Sequence, residues 1–163
     1  MSNKTFMISN EITILPAALG EAQLVGELVF AMETELWGND ASKLDKATFI
    51  DTATHLIDEN NGFWAFIARD EKQRPLGVVT LVETRAIYAS GTLGQIMELY
   101  IVPTHRSTGV GAKLIQFCRQ FGVDRGWGIL EVGAPAQPQW LRTKAFYQAQ
   151  GFNEIGPKLE MAL

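Results

Sequence analysis

The period of the apolar residues changes several times along this chain, and each change marks an element. After a short strand-like run from Ile12 to Leu15, residues Leu24, Val25, Leu28, Val29, Met32 and Leu36 recur at helical spacing. Ser42-Lys43-Leu44-Asp45 reads as a capping box opening a second helix, with Phe49, Ala53, Leu56 and Ile57 on one face and an end near Asn60-Asn61-Gly62. Two β-like runs follow, Phe63 to Arg69 and Leu76 to Glu83. The charged turn Asp70 to Pro75 joins them as a hairpin. A third long strand, Thr92 to Val102, comes after the small-residue turn Ala89-Ser90-Gly91.

The clearest helix begins after Gly109. Val110, Leu114, Phe117, Cys118 and Phe121 fall at i, i+4, i+7, i+8 and i+11, while Lys113, Gln116, Arg119 and Gln120 fill the other face, so this helix lays one side on a sheet. Gly126-Trp127-Gly128 leads into a strand from Ile129 to Val132. A loop, Ala134 to Pro138, precedes a helix from Trp140 to Gln150 that Gly151 is suited to stop. Phe152 to Ile155 and Leu159 to Leu163 read as two closing strands around Gly156-Pro157. No linker, repeat or low-complexity segment interrupts the chain. The prediction is a single α/β domain over residues 1–163 in the order β-α-α-β-β-β-α-β-α-β-β.

One junction in that order carries chemistry. In Ile101-Val-Pro-Thr-His-Arg106-Ser-Thr-Gly109-Val-Gly111-Ala-Lys-Leu, a strand runs through a glycine-bearing loop into a helix. The first amides of a helix lack intrahelical acceptors and face the positive end of its dipole, so such a junction binds phosphate. Gly109 and Gly111 are expected to clear side chains from the path of the ligand. The Arg-x-x-Gly-x-Gly spacing is neither the NTPase phosphate loop nor the dinucleotide fingerprint. It resembles the acyl-CoA loop of the GNAT superfamily of N-acyltransferases. Downstream, Phe146-Tyr147-Gln-Ala-Gln-Gly151-Phe152 resembles the Phe-Tyr-x-x-x-Gly-Phe element of the same superfamily, and Glu98-Leu-Tyr-Ile-Val-Pro103 is similar to its strand before the loop. The likeness covers residues 92–163; the earlier half matches in its order of elements. It implies a mixed central sheet, in the α/β (α+β) class, and acetyl transfer from acetyl-CoA to a primary amine of a small molecule or peptide.

Composition narrows the setting. The 163 residues are 47% hydrophobic, enough for a core without staples, and no apolar run approaches a membrane span. Met-Ser-Asn-Lys-Thr at the start lacks the pattern of a secretory leader, so a cytoplasmic protein is expected. A net charge of −4 without a basic cluster argues against nucleic acid, and one cysteine with two separated histidines argues against a metal site. The oligomeric state is left open, a homodimer included.

The resemblance assigns roles. Backbone groups of Leu99, Tyr100 and Ile101 would pair with the pantetheine amides as an added strand does, and the loop residues Arg106, Ser107, Thr108, Gly109, Val110, Gly111 and Ala112 would hold the diphosphate. Thr108 stands where the superfamily often has a basic residue, and Trp140 where it often has asparagine. Tyr147 matches the tyrosine that protonates the leaving thiolate; a phenol with a pKa near ~10 carries that proton at neutral pH. Its plainer reading is an aromatic filler whose hydroxyl finds water or backbone. Glu98, an acid in an apolar strand, matches the base or water-orienting position, with Glu83 and Glu131 as weaker competitors; its plainer reading is an exposed strand residue or the partner of an arginine. A base matters for an alkylamine of pKa about 10.4, which costs about 4.6 kcal/mol to deprotonate at pH 7.

Cys118, on the apolar face of its helix, reads as packing rather than a nucleophile. Substrate choice in the superfamily falls to the first two helices and their connection. Here that segment carries Glu33, Glu35, Trp37 and Asp40, acids that either draw in a cationic amine or only solvate a helix end. Two rival readings remain at this point: a non-catalytic acyl-CoA-binding regulatory protein, and an unrelated nucleotide-binding or scaffold domain.

Overall fold

The computed structural model describes residues 11–59 and 61–163. The N-terminal stretch read for a leader, and Asn60 at the predicted end of the second helix, lie outside them. The described residues form five strands and four α-helices in the order β1 (Thr13–Pro16), α1 (Ala22–Trp37), α2 (Lys46–Glu59), β2 (Phe63–Arg69), β3 (Pro75–Ala86), β4 (Gly91–Ile101), α3 (Val110–Asp124), β5 (Leu130–Val132) and α4 (Leu141–Ala149). The sheet order is β1-β2-β3-β4-β5, antiparallel except for the parallel pair of β4 with β5. This is the mixed central sheet of the predicted class.

The α1 and α2 side chains cover one face of the sheet, where Val25, Leu28 and Ala53 meet Ile67, Val78 and Tyr100. The opposite face packs α3 and α4, through Val110, Leu114, Cys118 and Tyr147, against Phe66, Val79, Leu81 and Ile96. A β-bulge decides which face β4 serves. Thr80 pairs with Glu98 and Leu81 with Ile96, so Met97 is the extra residue and alternation shifts by one. Ile96 therefore points toward α3, while Glu98 and Tyr100 point toward α1 and α2. Strict alternation would have put all three on one face.

Two local expectations are corrected. The cap of α2 is Asp45, not Ser42: its carboxylate accepts the Ala47 and Thr48 N–H groups at 3.4 and 3.2 Å and the Thr48 hydroxyl at 2.7 Å. Gly38–Lys43 forms a 3₁₀ stretch before it. The two closing strands are not formed, so the observed order ends at α4. Gly151 and Gly156 both take positive φ, Pro157 lacks a donor, and β5 offers an edge only three residues long. The side chains of Ile155, Leu159 and Met161 stay exposed.

Candidate functional site

The loop before α3 is shaped by two residues in left-handed backbone, Ser107 (φ 62°) and Gly109 (φ 91°). Turns of this kind converge successive N–H groups on an anion. Lys113 is the first residue of α3 whose amide finds a loop or helix carbonyl, that of Gly109 at 3.1 Å. The amides of Val110, Gly111 and Ala112, at the first turn, have no intrahelical acceptor. A side chain at Gly109 would meet open space, so the backbone angle alone demands glycine there. Gly111 has a different reason: a Cβ would stand 3.1 Å from the Phe146 ring, so this glycine seats α3 on α4 rather than clearing room for a ligand. Thr108 ties the loop together, its hydroxyl donating to the His105 carbonyl at 2.6 Å.

Arg142, on α4, donates to the Ser107 hydroxyl at 2.7 Å and adds a cation to this anion cradle. Sequence reasoning missed it, because nothing in the local pattern links the two residues. Arg106, expected at the diphosphate, is engaged within the protein. Its guanidinium pairs with Glu35 on α1 at 2.8 Å, donates to the Ile101 carbonyl at 3.0 Å and lies over the Tyr100 ring at 5.4 Å. Tyr100 also donates to Glu35, at 3.1 Å. Glu35 is thus spoken for, and it clamps α1 to the loop. Of the other acids in that connection, Glu33 accepts from Trp37 at 3.1 Å and Asp40 pairs with Lys43 at 2.7 Å.

Beside the loop the sheet opens. β5 pairs with Gly94, Gln95 and Ile96 of β4 and no further, so the segment holding Leu99, Tyr100 and Ile101 has no strand on its β5 side. The Val102 N–H pairs with the Leu76 carbonyl, so by alternation the Tyr100 backbone also faces β3, and Leu99 and Ile101 face the open side, where the Ile101 carbonyl accepts from Arg106.

Tyr147 and Glu98 lie on opposite faces of the sheet. The Tyr147 ring is buried between Phe146 and Phe152, at centroid distances of 5.5 and 5.8 Å. Among the described residues its hydroxyl has no hydrogen-bond partner, and it is not among the fully enclosed unpaired atoms. Burial, and secondarily the nearby Cys118, push its pKa up to about 12. Burial pushes the Cys118 thiol up to about 12 as well, which fits the packing role expected for it.

Glu98 is neither an exposed strand residue nor the partner of an arginine. The Thr80 hydroxyl donates to its carboxylate, and its own N–H donates to Thr80 Oγ1 at 3.1 Å. Burial holds its pKa above the usual carboxylate range; the Thr80 bond opposes this and the charge of Glu33 adds to it. The two competitors stand elsewhere. Glu83 accepts from Trp127 and Arg125 at 2.6 and 3.0 Å, and Glu131 from Tyr88 and Gln95 at 2.6 and 3.1 Å. A cavity of about 200 Å³ lies over Glu98 and Thr80, roofed by α1 and α2.

The geometry agrees with what the chain is similar to. Residues 26–152 match the model of the Acetyltransferase (GNAT) family. Among curated proteins, none matches. Solved structures share the fold: a possible acetyltransferase from Clostridium difficile 630 (TM-score 0.78, 12% identity, 93% of this chain and 97% of that one), a GCN5-related N-acetyltransferase from Ralstonia eutropha JMP134 (0.74, 21%, 94% and 97%) and a ribosomal-protein-alanine N-acetyltransferase from Brucella melitensis biovar Abortus 2308 (0.72, 18%, 94% and 99%). Identities this low speak to the fold.

Proposed function

The chain belongs to the GNAT acetyltransferase family, and from that premise we propose that it moves an acetyl group from acetyl-CoA directly to a primary amine of a small molecule or peptide. The observation that carries this reading is the opening between β4 and β5 beside the N-terminus of α3. An extended chain ending in a diphosphate fits that pair of features: backbone groups of β4 for its amides, and the α3 amides with Arg142 for its charge.

Acetyl-CoA supplies an activated thioester, whose C–S bond is exchanged for a C–N bond to the amine. The residues of this chain manage the two protons of that exchange. Glu98, on the α1/α2 face, receives the proton that the amine nitrogen gives up, directly or through water. Its raised pKa brings it nearer to the amine in basicity and so shortens an uphill transfer. Tyr147, on the α3/α4 face, donates its phenolic proton to the departing sulfur. A pKa of about 12 looks high for an acid. Burial raises it, and loss of solvent makes a thiolate leaving beside it more basic as well, so the two shifts run in the same direction.

The test is thiol release. The protein incubated with acetyl-CoA and a panel of primary amines is expected to free CoA at a rate that depends on the amine, and CoA but not ATP is expected to raise its Tm. Binding without amine-dependent release would show a protein that holds acyl-CoA and does not turn it over.

A further inference from the structure

The cavity over Glu98 has walls of Val29 on α1, Phe49 and Leu56 on α2 and Phe63 on β2, with Thr80 and Glu98 as its floor. Glu98 is the one charged residue that lines it among the described residues. The roof is fixed by Gly26, where a Cβ would come within 2.6 Å of the Ile50 backbone, so α1 and α2 touch there and the cavity opens to solvent beside them. Liquid water occupies about 30 Å³ per molecule. By that measure the 200 Å³ cavity has room for about seven heavy atoms, the size of one ring or one branched alkyl group.

We propose that the acceptor is a primary amine carrying a single positive charge and a compact apolar group, such as an arylalkylamine, whose apolar part fills this cavity while its nitrogen faces Glu98. This rests on the acetyltransfer reading above. One carboxylate answers one ammonium. A second ammonium drawn into the same mainly apolar cavity would find the Thr48 and Thr52 hydroxyls but no second lining carboxylate, which is costlier than leaving it exposed. Of the acids that could draw in a cationic amine, Glu35 is held by Arg106 and Asp40 by Lys43, while Glu33, which accepts from Trp37 and does not line the cavity, adds its charge to that of Glu98.

The experiment compares initial rates of CoA release with 2-phenylethylamine, methylamine and spermidine, each at the same acetyl-CoA concentration. Burial of a phenyl group is expected to make kcat/KM for 2-phenylethylamine about 10- to 100-fold higher than for methylamine, with spermidine no better than methylamine. Val29→Phe, which fills the cavity, should cut the ratio of phenylethylamine to methylamine toward one, and Leu56→Ala should shift preference toward a bulkier arylalkylamine. A Tm rise with CoA identifies variants that remain folded and competent for the cosubstrate. Efficient turnover of spermidine with phenylethylamine no better than methylamine would overturn the apolar acceptor while leaving acetyltransfer intact. Absence of release with every amine, despite CoA binding, would overturn the acetyltransfer reading and this inference with it.

Discussion

The two faces of the sheet are filled to different degrees. On the α3/α4 side, Phe66, Phe117, Phe121, Trp64 and Trp127 interlock at centroid distances from 4.7 to 6.3 Å, and the Trp127 ring lies so close over Gly94 that a Cβ there would overlap it. On the α1/α2 side a cavity remains and a carboxylate is buried with a hydroxyl for company. Under the acetyltransfer proposed above, full packing would suit the half that receives the cosubstrate, and space with a desolvated charge the half that admits the acceptor; a cavity and a desolvated charge both reduce stability.

The largest effect expected from breaking this division is at Tyr147. Tyr147→Phe should lower kcat by about 10²–10⁴-fold, the usual contribution of a general acid, while the Tm rise with CoA persists. Steady-state kinetics beside thermal melts decides it; an unchanged kcat with chemistry limiting would return this tyrosine to packing alone.

Next comes Glu98→Gln, which should reduce kcat/KM by about 10²-fold and yet raise the Tm at neutral pH. The sign follows from linkage. A carboxyl whose pKa is higher in the folded than in the unfolded chain favours folding when protonated, and that contribution is lost as pH rises through the folded pKa. At neutral pH the ionised Glu98 therefore costs stability, and glutamine removes the cost while keeping a partner for Thr80. For the same reason kcat/KM of the native protein should fall as pH is lowered, with a midpoint above the ordinary value of 4.5, and this limb should vanish in Glu98→Gln. A Tm unchanged or lowered by glutamine would mean that this face carries no such strain.

Smaller effects separate the two glycines. Gly109→Ala should cost about 1–2 kcal/mol through its left-handed backbone and weaken CoA binding. Gly111→Ala should act through the Phe146 ring instead, costing about 1–3 kcal/mol in urea unfolding as an overpacked contact does. Smallest of all, Asp40→Asn should change KM for both a monoamine and spermidine by less than about twofold, because an exposed pair with Lys43 is worth roughly 0–1 kcal/mol. A selective rise in KM for spermidine would restore that acid to substrate attraction.

The α3/α4 side was the more legible one in the sequence. Gly109, the amphipathic α3 and the Phe146-Tyr147 element are local signals, written in neighbouring residues, and in the structure Val110, Phe146 and Tyr147 meet in one hydrophobic cluster. What escaped was long-range or hidden in register. The Arg142 contact to Ser107 spans 35 positions. The Met97 bulge cannot be seen in a run where Ile96, Glu98 and Tyr100 simply alternate, although it alone sends Glu98 to the α1/α2 side. Ser42 and Asp45 both satisfy a capping pattern, and only the bonds to Ala47 and Thr48 choose between them. The tail from Phe152 alternates like a strand but has only a three-residue edge beside it.

The aromatic bed also determines how this protein can be watched. Trp64 and Trp127 sit within it, 6.1 Å apart, with Trp127 buried, whereas Trp37 ends α1 at 46% exposure and Trp140 caps the start of α4. The inner pair emits from a site that changes when the fold opens; the outer pair stands at the end of α1 and the start of α4, the elements that flank the proposed acceptor and cosubstrate sites. Intrinsic fluorescence is therefore two signals in one spectrum. Removing Trp37 or Trp140 singly, by phenylalanine, would assign each ligand's arrival to its own end of the molecule without any added dye.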